Sequence, residues 1–247
     1  MRCFYVPKHQ ISDDKLQILG PEFHHLTNVV RLKKGDEITV LDGEGGIYDV
    51  ILTDISKKPP IAIGEIKSWK QAQRPSLEIT LVQAIAKPDS MDMIVQKATE
   101  LGVYKIIPMT CQHSVPDLSG VRSKRRIERW HQIAISASKQ SKRPFFPLID
   151  DIKSFQSALD DLNIEIRLIF IAPSMNYVSA QRLKDVLKKI NGKKIQIIIG
   201  PEGDFTKTEI DYAISKNAIP VSLGENILRT ETASISALAI VSYEMGD

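Results

Sequence analysis

The chain has few of the residues that mark the specialised classes of protein. Its 247 residues include only two cysteines, Cys3 and Cys111, which excludes a disulfide framework and a four-cysteine zinc site. No apolar run approaches the roughly 20 residues that a membrane span needs, and the apolar stretch at the start is too short for a secretory signal. We therefore expect reduced thiols, no membrane contact and a cytoplasmic location.

Nucleotide-binding motifs and a strong net charge are missing as well. The sequence contains neither G-x-G-x-x-G, the motif of dinucleotide-binding proteins, nor G-x-x-x-x-G-K-[ST], the phosphate-binding loop. Their absence argues against hydride transfer on a dinucleotide and against hydrolysis of a nucleoside triphosphate. The net charge is only +3, which does not by itself indicate nucleic-acid binding. Any RNA-binding surface must therefore be sought in the positions of the charges.

A hydrophobic content of 43% is ample for one large or two modest domains, and the pattern changes near residue 72. In residues 1–72, strand-like runs at 37–41, 48–55 and 61–66 and one helix from Pro21 to about Val30 predict a small β-barrel domain. Asp42 to Gly46 has the aspartate and glycines of a hairpin turn. The polar stretch from Ser68 to Pro75 is the expected linker.

Residues 73–247 alternate between strand-like and helix-like segments. Strands are predicted at 77–85, 104–109, 167–172, 195–199 and 221–223, and helices at 89–101 with Asp89 as the cap, 122–139, 155–162, 180–190 and 231–245. This order predicts an α/β domain in which helices cover a parallel sheet. The last helix is rich in Ala, Ser and Ile and has few charges, which predicts burial either in the chain's own core or against a partner subunit.

Two segments combine the end of a strand, glycine and the start of a helix. The first is Gly200-Pro201-Glu202-Gly203-Asp204, and the second runs from Leu223 to Ala233. Open α/β sheets place ligand-binding loops at such points. Thr206 and Glu209 have the spacing of a capping box that would begin the next helix. Alone, the first segment could be only a tight turn, but together the two indicate an apolar, backbone-rich pocket suited to an adenine ring.

The two segments also resemble a known family. Gly-Pro-Glu-Gly followed by Leu-Gly-x-x-Ile-Leu-Arg-x-Glu-Thr-Ala is similar to the C-terminal signature of the SPOUT-class RNA methyltransferases, most closely the ribosomal RNA small subunit methyltransferase E family. The likeness runs from about residue 2 to about residue 245 and includes His24-His25-Leu26, Met91-Asp92 and the run from Gln96 to Val103. Two positions depart from the family: Pro88, where glycine is frequent, and Asp204, where a further glycine is common.

The resemblance implies the fold, the cofactor and the reaction. It implies a C-terminal α/β domain with a trefoil knot, preceded by a β-barrel domain of the PUA type. It further implies S-adenosylmethionine (SAM) as cofactor, a homodimer, and methylation of uridine N3 in 16S ribosomal RNA, either naked or in the assembled small subunit. The residues expected to bind SAM are Ala172, Ile199, Gly200, Pro201, Glu202, Gly203, Leu223, Gly224, Ile227, Leu228, Thr230 and Ala233.

Arg229 and Glu202 are the candidate catalytic residues. Arg229 could be a surface arginine paired with Glu225 or Glu231, but the motif favours a functional role. Methylation at N3 requires loss of the N3 proton, and a planar guanidinium can bind the anion that forms over O2 and O4. Glu202 could accept a hydrogen bond from cofactor or base, or it could brace its loop. The five histidines lie outside both segments, so no general base stands out.

The first candidates for RNA contact lie in the N-terminal domain: Arg2, His24, His25 and Arg31. Two adjacent histidines on a helix face different directions, and no partner ligands are suitably spaced, so we expect RNA contact there and no metal.

The second group lies in the basic run from Arg122 to Arg143, whose one acid is Glu128. It includes Arg125, Arg126 and Arg129, with Trp130, His131, Phe145 and Phe146 in or beside the run. A charge run is usually a solvated face, but the mixture of cations and aromatic rings favours RNA binding.

Two alternative functions stay open on the sequence. The first is a ribose 2′-O-methyltransferase of the same superfamily, although those relatives carry a different terminal motif. The second is a catalytically silent RNA-binding or ribosome-assembly module that kept the fold.

Overall fold

The computed structural model describes residues 2–114, 121–160, 163–173 and 180–246. The chain divides into a first unit, Met1–Arg74 with Ile135–Phe146, and a second unit, Pro75–Ala134 with Pro147–Asp247. In these described ranges, no helix is both long and apolar enough to cross a membrane.

The first unit is built on a five-stranded sheet in the order β1-β3-β4-β5-β2. Its elements are β1 (Cys3–Tyr5), a 3₁₀ turn (Lys8–Gln10), β2 (Lys15–Ile18), α1 (Gly20–His24) continued by a π turn (His25–Val29), β3 (Glu37–Leu41), β4 (Gly46–Lys57) and β5 (Pro60–Gln71). The predicted hairpin is confirmed, because the Asp42 carboxylate accepts hydrogen bonds from the backbone N–H groups of Glu44 and Gly46, both at 2.8 Å. The expected linker was wrong in part: Ser68 to Gln71 continue β5, and Trp69 pairs with Tyr48 on β4.

Residues 135–146 return the chain to the first unit, which the sequence does not predict. The Lys139 ammonium lies 2.6 Å from the Glu22 carboxylate in a largely buried ion pair. The Phe146 ring packs 5.1 Å from that of Tyr5, and the N–H of Gly45 donates to the Pro144 carbonyl at 3.0 Å.

The second unit is a parallel α/β sheet, as predicted. Seven strands follow the order β11-β13-β10-β12-β6-β7-β8, and β9 pairs with β7. The strands are β6 (Glu78–Ala84), β7 (Lys105–Thr110), β8 (Leu148–Ile149), β9 (Lys153–Ser154), β10 (Ile166–Phe170), β11 (Gln181–Arg182), β12 (Lys194–Ile199) and β13 (Ala218–Ser222). The helices are α2 (Pro88–Glu100), α3 (Val121–Ser141), α4 (Phe155–Ala158), α5 (Leu183–Leu187), α6 (Lys207–Ser215) and α7 (Thr230–Met245).

Three helices in this unit have bounds that differ from the sequence prediction. Helix α2 begins at Pro88 with Lys87 as its N-cap, two residues before the predicted cap Asp89, because Pro88 has the fixed φ that suits the first helical position. Helix α5 is shorter than predicted, since Gln181 and Arg182 pair with β13 as a strand. Helix α4 ends at Ala158 with Leu159 as its C-cap, so it is shorter than the predicted helix at 155–162; Leu162 itself lies outside the described residues.

The central strands are largely apolar on both faces because each face is covered. On β12, Ile195, Ile197 and Ile199 belong to one buried cluster, and Ile198 points into the other. Continuous apolar sequence of this kind is typical of a buried parallel strand. The same arrangement brings the carboxyl ends of β10, β12 and β13 to one edge of the sheet.

Candidate functional site

A pocket with a volume of about 290 Å³ opens at the carboxyl ends of β10, β12 and β13. Both segments singled out from the sequence line it, together with the end of β10. Its lining comprises Phe170, Ile171, Ala172, Pro173, Ile199, Gly200, Pro201, Glu202, Asp204, Leu223, Gly224, Asn226, Ile227, Leu228, Arg229, Thr230 and Ala233. All the residues expected to bind SAM are therefore brought together here, with the exception of Gly203.

Gly203 faces away from the pocket lining, toward a loop that the sequence does not connect with it. A Cβ at this position would meet the Cβ of His113 at 3.0 Å. The Nδ1 atom of His113 lies 2.9 Å from the Gly203 carbonyl and 3.1 Å from that of Asp204. Because carbonyls only accept, Nδ1 carries the proton. His113 thus holds the first segment in place from outside.

The first segment is fixed at both ends. The capping box at its end is confirmed: the Thr206 hydroxyl and the Glu209 carboxylate exchange hydrogen bonds with each other's backbone N–H. Asp204 has a φ of +61°, a left-handed conformation that glycine and aspartate tolerate better than most residues. Glu202 accepts a hydrogen bond from the Lys87 N–H at 3.3 Å, so the bracing contact is present.

The second segment leaves β13 through a glycine turn. Gly224 has a φ of +139°, which side-chain-bearing residues rarely adopt, and the Ser222 hydroxyl donates to its carbonyl at 2.9 Å. This turn leaves Ile227 69% exposed at the pocket, a large apolar surface available to a ligand.

Arg229 is the last residue before α7 and lines the pocket with its side chain exposed. Within the described residues, the Arg229 guanidinium forms no ion pair with Glu225 or Glu231. The surface ion pair that was the alternative to a functional role is therefore not observed there. A cation at the N-terminus of a helix is electrostatically unfavourable, since the helix dipole already places partial positive charge there. Arg229 therefore lies beside the partial positive charge of the helix terminus and forms no ion pair with a carboxylate in the described part of the chain.

A buried hydrogen-bond network lies directly behind this end of α7. The Gln83 amide donates to the Thr230 hydroxyl at 3.0 Å, and that hydroxyl donates to the Gly200 carbonyl at 2.7 Å. The Ser234 hydroxyl donates to the Gln83 amide oxygen at 2.5 Å. Gln83 and Ser234 are fully buried and Thr230 nearly so. The network therefore ties β6, the first segment and the start of α7 into one unit.

Gln83 was missed from the sequence, and so were Phe170, Ile171 and Pro173, the neighbours of the expected Ala172. A glutamine inside an apolar strand gives no local signal of its partners, which come from residues 147 and 151 positions further along the chain. Phe170 and Ile171 could have been found, because they end a predicted strand beside the two segments.

The RNA candidates of the first unit differ in their surroundings. Arg2 is exposed and pairs with Asp36 at 3.3 Å, and Arg31 is exposed with a φ of +58°. His24 is exposed and its ring contacts the Asn28 amide at 2.8 Å. His25 is half-buried, 5.7 Å from the Phe4 ring. Among the described residues, no cluster of three or more His, Cys, Asp or Glu side chains could hold a metal.

In the basic run on α3, one part of the sequence interpretation was wrong. Trp130 is only 2% exposed and packs in the core, so it offers no stacking surface to RNA. Its spacing with Ala134 and Ala137, both buried, is that of a core-facing helix stripe. Arg125 is exposed and Arg126 half-exposed, whereas the Arg129 guanidinium is bound to Asp92, with Nε at 2.8 Å from the carboxylate.

The two cysteines are not part of the site. Burial raises the pKa of Cys3 and of Cys111 to about 11, so both are protonated, weakly nucleophilic thiols at neutral pH.

Both units match known families. Residues 73–242 match the model of an RNA methyltransferase domain, and residues 18–63 match that of an RNA methyltransferase PUA domain. The fold and the matches define the class: a PUA-type domain joined to an α/β RNA methyltransferase domain. The trefoil knot implied by the resemblance stays a prediction.

Comparison with individual proteins narrows the assignment from this class to one family. The ribosomal RNA small subunit methyltransferase E of Bacillus subtilis is 30% identical over 241 residues, which cover 96% of this chain and 93% of that protein. The crystal structure of the protein of that name from Neisseria gonorrhoeae, bound to SAM, has a TM-score of 0.87 at 33% identity and covers 100% of this chain and 99% of that one. A putative methyltransferase from Legionella pneumophila, also bound to SAM, has a TM-score of 0.90 at 26% identity, covering 100% and 98%. The chain belongs to the ribosomal RNA small subunit methyltransferase E family.

Proposed function

We propose that this protein transfers the methyl group of SAM to N3 of a uridine in the 16S ribosomal RNA of the small ribosomal subunit. It acts in the cytoplasm as a homodimer, with the pocket of the second unit as the cofactor site. The family membership supports methylation of small-subunit RNA, and the SAM-bound relatives support the cofactor. Uridine N3 is what the resemblance implies, and the placement of Arg229 supports it.

The pocket fits the cofactor chemically. Its walls are backbone and apolar side chains, with Ile199, Leu223 and Leu228 suited to the faces of an adenine ring. Backbone at Gly200, Pro201 and Gly224 lines the pocket, and main-chain polar groups of this kind are suited to the polar edges of a nucleoside. Glu202 and Asp204 are the two carboxylates of the first segment that line the pocket. When bound, SAM supplies an electrophilic methyl group on a sulfonium.

The placement of Arg229 is the observation that carries the proposal. A neutral uridine has no free lone pair at N3, so the nitrogen reacts as an anion whose charge extends over O2 and O4. An exposed guanidinium at a helix N-terminus, free of Glu225 and Glu231 in the described structure, is an anion site. The guanidinium holds the pyrimidine oxygens as their charge develops.

Helix α7 supports the homodimer. Ala237, Leu238 and Val241 are buried in the unit's own core, which confirms one of the two alternatives for this helix. Ile240 and Tyr243 leave an apolar strip of the same helix exposed, at 39% and 85%. A second subunit would cover this strip.

Replacing Arg229 with lysine tests the proposal. The substitution keeps the charge but removes the bidentate fork, so it affects a charge-stabilising role more than cofactor binding. We expect single-turnover methylation of small subunits to slow by a factor on the order of 10², the scale of losing one oxyanion-stabilising donor. Calorimetric titration should give little change in SAM affinity.

Arg182→Lys is the matched control, because Arg182 is an exposed arginine of the same unit that does not line the pocket. It should methylate at the wild-type rate. A near wild-type rate for Arg229→Lys would show that the arginine is structural. Loss of SAM binding by the folded Arg229→Lys protein would instead place Arg229 in the cofactor site.

A further inference from the structure

A short turn of the second unit, residues 111–114, lies beside the pocket; we call these residues the clip. It follows β7 directly, and the Ser114 N–H donates to the Cys111 carbonyl at 3.1 Å. The Ser114 hydroxyl closes the same turn, because it donates to the Cys111 carbonyl at 2.8 Å and accepts from the Cys111 N–H at 3.0 Å. None of these four described residues lines the pocket.

The clip is anchored by two contacts on its far side. The Cys111 side chain packs against the buried cluster that contains Phe205. The Gln112 N–H donates to one oxygen of the Glu209 carboxylate at 2.8 Å, and the other oxygen accepts from the N–H and the hydroxyl of Thr206, at 2.8 and 2.9 Å. A single carboxylate therefore joins the clip to the capping box of α6.

From this base, His113 contacts the outer side of the first segment. Its Nδ1–H group is shared between the carbonyls of Gly203 and Asp204, at 2.9 and 3.1 Å. The two carbonyls are consecutive in the chain, so one donor fixes the orientation of the peptide groups on both sides of Asp204. The imidazole thus controls the direction of the backbone at this point.

The segment needs support here because its conformation is locally unfavourable. Asp204 has its left-handed φ of +61°, which costs a residue with a side chain more than it costs glycine. The Asp204 N–H donates to the Pro201 carbonyl at 3.1 Å, so the segment closes into a turn. The Thr230 hydroxyl holds the Gly200 carbonyl at the start of the segment. The turn is therefore held by the buried network at one end and by His113 at the other.

We propose that His113 is a positioning residue of the cofactor pocket, which holds the turn at Gly203 and Asp204 in the conformation that binds SAM. Four of the five residues of the first segment line the pocket, so a shift of this turn changes the pocket wall. A protein binds its ligand more weakly in proportion to the fraction of molecules that lack the competent conformation. The inference rests on the proposed function only in taking this pocket as the SAM site.

Replacing His113 with alanine tests this role. His113 is exposed, so the variant should fold. Calorimetric titration should give a SAM Kd raised by roughly 2- to 12-fold, which corresponds to the ~0.5–1.5 kcal/mol of one net hydrogen bond. In steady-state methylation the KM for SAM should rise, whereas kcat at saturating SAM should stay within about twofold of wild type, because bound SAM restores the turn.

His113→Asn is the rescue variant. The Nδ2 of asparagine is separated from Cα by the same number of bonds as the Nδ1 of histidine and also donates, so SAM affinity should be close to wild type. Ser154→Ala is the matched control, because Ser154 caps α4 of the same unit through the Ser157 N–H at 3.2 Å and does not line the pocket. It should lower the free energy of unfolding and leave SAM affinity unchanged.

Hydrogen exchange gives a second test that needs no substitution. Coupling between two sites is reciprocal, so SAM should slow exchange of the backbone N–H groups in the clip, outside the pocket. The N–H groups of Gln112 and Ser114 both have acceptors and report on the clip directly. In His113→Ala this protection should disappear, while SAM should still protect residues 223–230 of the pocket lining.

Wild-type SAM affinity of folded His113→Ala, equal weakening by His113→Asn, or no protection of the clip by SAM would overturn the inference. Ile227→Lys separates it from the proposed function, because Ile227 is exposed at the pocket and an ammonium there opposes a sulfonium. Unchanged SAM affinity of Ile227→Lys would contradict the proposed cofactor site. Weakened binding by Ile227→Lys but not by His113→Ala would overturn the role of His113 alone.

Discussion

At the scale of single residues, the pocket depends on side chains that never line it. Gln83 is buried behind the pocket and holds the Thr230 hydroxyl and, through it, the Gly200 carbonyl. Arg229 precedes Thr230 directly, so the same contacts fix the backbone from which its guanidinium projects. A small displacement of a positioned group can cost a large part of the rate.

We therefore expect Gln83→Leu to reduce both stability and turnover. The loss of its amide removes buried hydrogen bonds to the Thr230 hydroxyl and the Ala84 carbonyl, while the Ser234 hydroxyl keeps the Thr230 carbonyl as acceptor. Leaving these buried groups unpaired costs about 1–3 kcal/mol of unfolding free energy. Turnover per folded molecule should fall by roughly tenfold, since Arg229 loses its fixed position. Urea unfolding and single-turnover methylation measure the two effects.

Gln196→Leu is the matched control for this prediction. Gln196 is fully buried in β12 of the same sheet, and its amide donates to the Ala158 carbonyl at 3.1 Å, away from the pocket lining. It should lose stability and keep its turnover. Equal loss of turnover in the two variants would mean that Gln83 acts only through general stability.

At the scale of elements, the basic part of α3 is not uniform. Arg125 and Arg126 extend from the helix, whereas Arg129 is bound to Asp92 on α2. A cation that already has a carboxylate partner contributes less to phosphate binding. We expect Arg125→Gln with Arg126→Gln to lower the slope of log affinity against log salt by roughly one to two.

Arg129→Gln alone should leave that slope nearly unchanged, and it is the internal control measured in the same filter-binding titration. A slope that falls equally in the single variant would show that Arg129 leaves Asp92 to contact RNA. An unchanged slope in the double variant would mean that this part of α3 is only a solvated face.

Asp150 joins three strands at the edge of the second unit's sheet. Burial alone would raise its pKa, but hydrogen bonds from Lys153 and Lys105 outweigh it and hold the pKa below its ordinary value. A lowered pKa means that the unfolded state binds more protons, so the stabilisation is complete above the unfolded pKa of about 3.9 and is lost as pH falls through the folded value.

Asp150→Asn should therefore lower the free energy of unfolding at pH 7 by about 1 kcal/mol or less, because the pairs are partly exposed. The difference from wild type should vanish in acid, below the folded pKa. Urea titrations at a series of pH values check this. A difference that persists in acid would assign the effect to packing rather than to the ion pairs.

At the scale of the whole molecule, the elements of the fold could be predicted well. Alternating strands and helices gave the parallel sheet, and glycine at two strand ends located the pocket. The periodicity of the sequence could not show that residues 135–146 belong to the first unit, because α3 is one continuous helix. The assignment of its last residues to the first unit depends on contacts such as the ion pair of Lys139 with Glu22.

Contacts between distant parts of the chain account for the other differences. His113 reaches Gly203 across 90 residues, and Gln83 reaches Thr230 across 147. Neither contact can be predicted from the spacing of neighbouring residues in the sequence. Trp130 was different: its burial could have been predicted from its helical spacing with Ala134 and Ala137.

The central claim is that this protein methylates uridine N3 in small-subunit RNA. It is tested most directly by incubating the purified protein with small ribosomal subunits from a strain that lacks it and with SAM carrying a heavy methyl group. Mass spectrometry of the digested RNA should show heavy 3-methyluridine at one position of the 16S RNA, and none with Arg229→Lys at short times. Heavy methyl on a ribose 2′-oxygen, on another base, or nowhere in the 16S RNA would contradict the claim.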